Sequence, residues 1–289
     1  MKRFHYALLL LIFTVMSCGK NGLYISVDNT VWEISTSSQV AWPCYHDDMN
    51  VSIIQKNFET HRFQTLNGTF SVKGHRVNVD ADGNSVLMVR TFSHLKNSSN
   101  KNYSSKYPSN PPTLGGSIWA TLKDGDFHFT YFRADGTLVE GTHENVAHQE
   151  GLDYGWSWTT GAYQVNGYKL QAGETTGTFY GSDFLRLTDS CLACVSTCEN
   201  QEGTSSLKGT VWTYETRSYP GFIFFTSATE FTRVLVLSKL VFDTMQGTYT
   251  LKGNSLELVG DSWELDRTCT ISDGQFEYLE RTYSLVTSF

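Results

Sequence analysis

Apolar and polar side chains alternate along much of this chain with the period of a β-strand. In Phe70-Ser71-Val72-Lys73 and again in Val77-Asn78-Val79 every second residue is apolar. Each run therefore has one face to bury and one to wet. Lys73-Gly74 lies between them, and glycine accepts the positive φ that a tight hairpin turn needs. The pattern predicts a β-hairpin with one buried face. No long stretch carries the apolar spacing of an amphipathic helix.

The same hairpin recurs. Gly68 to Val79, Gly161 to Ala172 and Gly247 to Leu258 align without a gap, with Asn166-Gly167 and Lys252-Gly253 at the later turns. A second motif opens each copy: Thr30-Val31-Trp32, Ser117-Ile118-Trp119 and Thr210-Val211-Trp212. These tryptophans read as core, since a shared position follows from a shared fold. Strand-like runs lie between the motifs at Val51 to Ile54, at Phe127 to Phe132 ahead of Ala134-Asp135-Gly136, and at Phe222 to Phe225 and Val234 to Leu237. Val86 to Phe92, Phe184 to Leu187 and Phe276 to Leu285 read as the closing strands.

The prediction is an all-β protein of three consecutive antiparallel β-meander modules, at 28–96, 115–190 and 208–289, with five or six strands each. A linker rich in Ser, Asn, Lys and Pro is expected at 97–114, and a cysteine-containing linker at 191–207. The opening tryptophan, the Phe-rich strand before Asp-Gly and the Gly-x-Tyr hairpin resemble the lipocalin-like β-modules of secreted bacterial lipoproteins. That resemblance implies binding of a ligand or partner at a barrel mouth or sheet face, and no shared catalytic set. Modules of five or six strands fall short of the eight that a closed barrel with room inside needs.

The amino terminus carries a different signal. Lys2 and Arg3 precede an apolar run from Ala7 to Met16, which is the length of a signal h-region and half that of a membrane span. Val15-Met16-Ser17-Cys18 resembles the lipobox of bacterial lipoproteins, with a small residue before the cysteine that receives lipid. The resemblance implies a signal peptide at 1–17, lipid on Cys18, a tether at 18–27 and anchorage in a membrane. Gly19, where an Asp tends to retain such proteins on the inner membrane, implies the outer membrane.

Composition narrows the partners. The net charge is −7, and losing Lys2 and Arg3 with residues 1–17 makes it −9. No basic cluster is present, so nucleic acid, whose affinity rests on Lys and Arg, is not an expected partner. Aromatic residues make up 14% of the chain and Gly (24) far outnumbers Pro (5), as suits strands and turns.

Cys18 apart, five cysteines remain: Cys44, Cys191, Cys194, Cys198 and Cys269. The cluster Cys191, Cys194 and Cys198 supplies three ligands where zinc or an iron–sulfur centre usually takes four. In an exported chain the expectation is disulfides, with Cys44 and Cys269 partnering two of the cluster and one thiol left over. Neither a metal nor a cofactor is expected.

Two near-motifs do not carry chemistry. His143 and His148 flank Glu144 as in a zinc protease, but they are five apart, so they diverge by about 140° on a helix. The segment reads as a solvated loop. Gly155-Trp156-Ser157-Trp158-Thr159 lacks the second glycine of a nucleophile elbow and its α/β setting. His46-Asp47-Asp48 could hold a cation, or simply be solvated.

Tyr154, Trp156 and Trp158 share one strand face by their spacing of two. They either pack in the module core or form a platform for a sugar or an extended peptide. The preferred reading is a non-enzymatic, membrane-anchored protein that binds a carbohydrate or a protein. The rivals are a polymer-degrading hydrolase, using a carboxylate pair drawn from Asp47, Asp48, Asp135 and Glu144, and a structural envelope subunit.

Overall fold

The computed structural model describes residues 26–91, 95–97, 102–105, 112–146, 155–198, 202–214, 219–260 and 266–286. Cys18 and Tyr154 lie outside these residues. Every described regular element is a strand, and the strands fall into three sets of eight.

The first set is β1 (Trp32–Ser35), β2 (Gln39–Tyr45), β3 (Asn50–Asn57), β4 (Arg62–Lys73), β5 (Arg76–Ala81), β6 (Asn84–Arg90), β7 (Leu95–Asn97) and β8 (Asn102–Ser105). Each pairs antiparallel with the next, and Trp32↔Ser105 returns β8 to β1. The second is β9 (Ser117–Lys123), β10 (Asp126–Phe132), β11 (Thr137–Glu144), β12 (Gly155–Asn166), β13 (Lys169–Ala172), β14 (Thr175–Tyr180), β15 (Phe184–Leu187) and β16 (Cys191–Ser196). Ala193↔Ala120 closes this barrel. The third is β17 (Val211–Tyr214), β18 (Gly221–Phe225), β19 (Glu230–Ser238), β20 (Val241–Lys252), β21 (Ser255–Gly260), β22 (Arg267–Thr270), β23 (Gln275–Tyr278) and β24 (Arg281–Leu285). Here β24 returns to β17, while among the described residues no ladder joins β22 to β23.

The hairpins form as read, with Phe70↔Val79, Val165↔Leu170 and Leu251↔Leu256 in register and Gly74, Gly167 and Gly253 at positive φ. The strand count and two boundaries differ. Residues 97–114 and 191–207 are not plain linkers. The first contains β8 and the second contains β16, so each supplies the strand that closes its barrel. Phe276 to Leu285 is two strands, β23 and β24. Eight strands make a barrel just wide enough for side chains to fill, and they do fill it. Trp119, Phe132, Leu138, Leu170, Phe179 and Leu192 occupy the second barrel's interior, and equivalent sets occupy the first and third.

The three tryptophans are buried, and each indole finds the same partner. Trp32 Nε1 donates to Thr30 Oγ1 (2.7 Å), Trp119 to Ser117 Oγ (2.9 Å) and Trp212 to Thr210 Oγ1 (2.9 Å). The hydroxyl two residues upstream satisfies an N–H that would otherwise be orphaned in the core. This is why Thr or Ser opens every copy.

The barrels share a further core between them. The outward faces of β2, β10 and β18 contribute Trp42, Cys44, Phe127, Phe129, Tyr131, Phe222 and Phe224, and Phe63 and Phe242 join them. Phe222 lies 5.2 Å from Phe127 and 5.5 Å from Phe129, centroid to centroid. Faces that alternation would leave wet in a lone barrel are apolar here because another barrel covers them. The first and third barrels also join edge to edge, through antiparallel pairing of β4 with β20.

Candidate functional site

The long strands β4, β12 and β20 are counterparts, each entering the repeated hairpin at Gly68, Gly161 or Gly247. In β4 and β20 the half ahead of that glycine finds a partner. Arg62 pairs with Asp243, Phe63 with Phe242 and Gln64 with Val241. Thr65 N donates to Leu240 O (2.8 Å), and Thr244 N to His61 O (3.2 Å). The Phe63 and Phe242 rings stack at 5.0 Å, and Arg62 Nε reaches Asp243 Oδ1 at 2.8 Å.

In β12 the corresponding stretch, extended through the glycine to Gly155–Ala162, pairs on one side with β11. On the other side β13 reaches only as far as Tyr163. No described strand continues along that edge. The hairpin glycines record the difference. A methyl group on Gly68 would lie 1.9 Å from Asp80 O, and on Gly247 2.3 Å from Val259 O, whereas on Gly161 it meets nothing within 4 Å. By strand alternation, the N–H groups of Trp156, Trp158 and Thr160 point to the open edge, since Tyr163 N points the other way, to Gly136 O.

Of the three rings of the platform, Tyr154 lies outside the described residues, and the other two differ. Trp156 sits five residues before its hairpin glycine, where the other copies have Phe63 and Phe242. It packs, half-buried, against the central core. Trp158 is 41% exposed, at the position of buried Thr65. One aromatic ring therefore stands beside an open backbone edge.

The loop reading of His143 is corrected. His143 is buried on β11, opposite Phe127 and Trp156, because β11 runs on to Glu144. Of the acids considered for hydrolysis, Asp47 and Asp48 are sequence neighbours on one cleft, while Asp135 and Glu144 stand at the two ends of β11. Asp135 accepts from Thr137 N (2.9 Å) and Thr137 Oγ1 (2.6 Å) in its own turn. Glu144 ends the strand that this turn begins, about 24 Å away at 3.4 Å per residue. Asp48 accepts from Asn50 N (3.1 Å) and Asn50 Nδ2 (2.6 Å) beside exposed Asp47.

All five described cysteines are buried thiols in this structure. Cys191 and Cys194 lie on opposite faces of β16, one in the central core and one inside the barrel, so the sequence cluster is not a cluster in space. Cys198 Sγ donates to Glu230 Oε2 (2.7 Å), and Cys269 packs inside the third barrel. Cys191 meets Cys44 of β2 instead. Cys44 Sγ, Cys191 Sγ and a ring nitrogen of His46 all lie within 4.8 Å of one another. Burial pushes the Cys44 thiol up, and hydrogen bonds with Cys191 and His46 outweigh it, bringing it down to about 6. The hydrogen bond with Cys44 raises His46, and burial raises Cys191. His46 Nε2 also lies 3.3 Å from Ser52 Oγ. Long-range contact hides this trio from sequence reasoning, which offers His46 with Asp47 and Asp48, and Cys191 with Cys194 and Cys198, but never the two together.

No protein-family model and no curated protein matches the chain. Solved structures align with it over most of its length at low similarity. The DNA polymerase III subunit beta of Pseudomonas aeruginosa is 7% identical, with 91% of this chain and 94% of that one covered and a TM-score of 0.15. The Helicobacter pylori beta clamp in complex with diflunisal is 6% identical, with 90% and 92% covered and a TM-score of 0.14.

Proposed function

We propose that this chain is an exported, non-enzymatic lipoprotein, held by lipid on Cys18 in the outer membrane, whose second barrel captures a protein partner by strand addition along β12. The open edge of Gly155–Ala162 carries this reading, because its two counterparts in the same chain pair with each other. An unpaired edge is a ready template for an incoming strand. Main-chain hydrogen bonds supply affinity in that mode, and exposed Trp158 supplies a side-chain contact that favours one partner over another. A protein partner is preferred to a sugar because the open backbone edge offers main-chain hydrogen bonds to a strand, and among the described residues one exposed ring stands beside it.

A photoreactive residue placed at Trp158 tests this in cells that make the protein. The expected result is a cross-linked adduct with a second polypeptide, reduced at least tenfold by Thr160→Pro, which removes an edge N–H without entering the core. The absence of a protein adduct, or an adduct indifferent to the proline, refutes strand addition.

The anchor has its own test. Cys18→Ala should abolish incorporation of labelled fatty acid and move the protein from the membrane to the soluble fraction, since acyl chains supply the attachment. Retention of the variant in the membrane fraction would count against the lipoprotein reading.

A further inference from the structure

We propose that Cys44, His46 and Cys191 form a binding site for a thiophilic d10 metal ion, zinc or copper(I), which ties the first barrel to the second. Among the described residues no other set of three metal-ligating groups is gathered this closely. The two sulfurs come from strands of different barrels, β2 and β16, and are sealed from solvent in the core between them. The imidazole comes from the turn after β2 and is half-exposed. It forms part of the wall of a cleft of about 560 Å³ that also includes Asp47, Asp48, Asp124 and Asp189.

The donor set fits soft cations. Bond lengths of 2.3 Å to sulfur and 2.0–2.1 Å to imidazole place tetrahedral donors about 3.5–3.8 Å apart. The three atoms here, already within 4.8 Å of each other, need only a small inward shift. Three protein ligands leave a fourth position, and the half-exposed imidazole is the side from which water can reach it. Ser52 Oγ lies 3.3 Å from His46 Nε2, so with the metal on Nδ1 it is the outer partner that holds a metal-bound ring. Asn29 Oδ1 accepts from Arg186 Nη2 (2.5 Å), and the Arg186 charge, which acts on both thiols, offsets one of the two thiolate charges. Two thiolates, copper(I) and Arg186 sum to zero charge; with zinc, the three-ligand centre is itself neutral.

Site and strand-addition reading are independent, so either can fail alone. The test is titration of the reduced, purified full chain with Zn²⁺, Cu⁺ or Co²⁺ against a chromophoric competitor. The expected result is one equivalent bound, with a thiolate-to-cobalt charge-transfer band in the Co²⁺ arm. Relative affinity in the Zn²⁺ and Cu⁺ arms assigns the ion. Binding should disappear in Cys44→Ser and Cys191→Ser and persist in Cys194→Ser and Cys269→Ser. Ser52→Ala and His46→Ala lie outside the sealed core and keep the test valid if the cysteine variants misfold. The first should weaken binding about ten- to a hundredfold and the second more. Peptide mapping of unreduced protein from its own compartment completes the test. A Cys44–Cys191 disulfide there, or no stoichiometric binding by the folded wild type, overturns the proposal.

Discussion

Phe222→Ala should lower the stability of the whole chain by about 3–5 kcal/mol, the range for a fully buried phenylalanine whose site cannot collapse. Phe222 is 0% exposed and lies against Phe127 and Phe129 of the second barrel as well as Phe224 of its own. The second and third barrels line the void, so neither can close it alone. Denaturant unfolding followed by tryptophan fluorescence and by far-ultraviolet dichroism measures the effect. The two probes should report one transition, because the barrels share this core. Leu87→Ala, at an exposed site, is the control and should change stability by no more than about 0.5 kcal/mol. A loss below about 1 kcal/mol for Phe222→Ala would mean that the barrels do not pack around this ring.

Gly68→Ala should cost about 3 kcal/mol, the upper part of the usual overpacking range. The added methyl meets Asp80 O at 1.9 Å and Ala81 Cα at 2.5 Å. Both obstacles are backbone, so no rotamer relieves them and the β4–β5 ladder must part at Gly68↔Ala81. Gly161→Ala, at the aligned position, meets nothing within 4 Å. It should be neutral or stabilise by up to about 1 kcal/mol through the unfolded chain. The difference between two substitutions that look identical in sequence measures how far the partner strand extends in each copy. Equal losses would place a covering segment over Gly161 and remove the open edge.

What was legible in the sequence was local. The hairpins could be read because alternation and the turn glycine lie within twelve residues of each other. Closure could not. All six residues of β16 are buried, with no wet face to alternate, and β8 is Asn-Tyr-Ser-Ser, as polar as a linker. Both were therefore assigned to connecting segments, and eight strands were read as five or six. The packing of Trp156 was within reach. Extending the repeat five residues upstream of Gly68, Gly161 and Gly247 aligns Phe63, Trp156 and Phe242, which marks that ring as core. The Cys44–His46–Cys191 trio was out of reach, since its members meet only once two barrels have docked.

The β4–β20 seam also sets the order in which the chain can finish folding. Arg62 and Asp243 are 181 residues apart, so this contact has a high sequence separation and forms late. A chain that emerges amino terminus first exposes β4 while some 180 further residues have yet to appear. During that interval β4 resembles β12, with a bare edge able to recruit a neighbour. Assembly therefore favours slow dilution over crowding, and a holdase that shields edges should raise the yield of native protein most when given before the third barrel is complete.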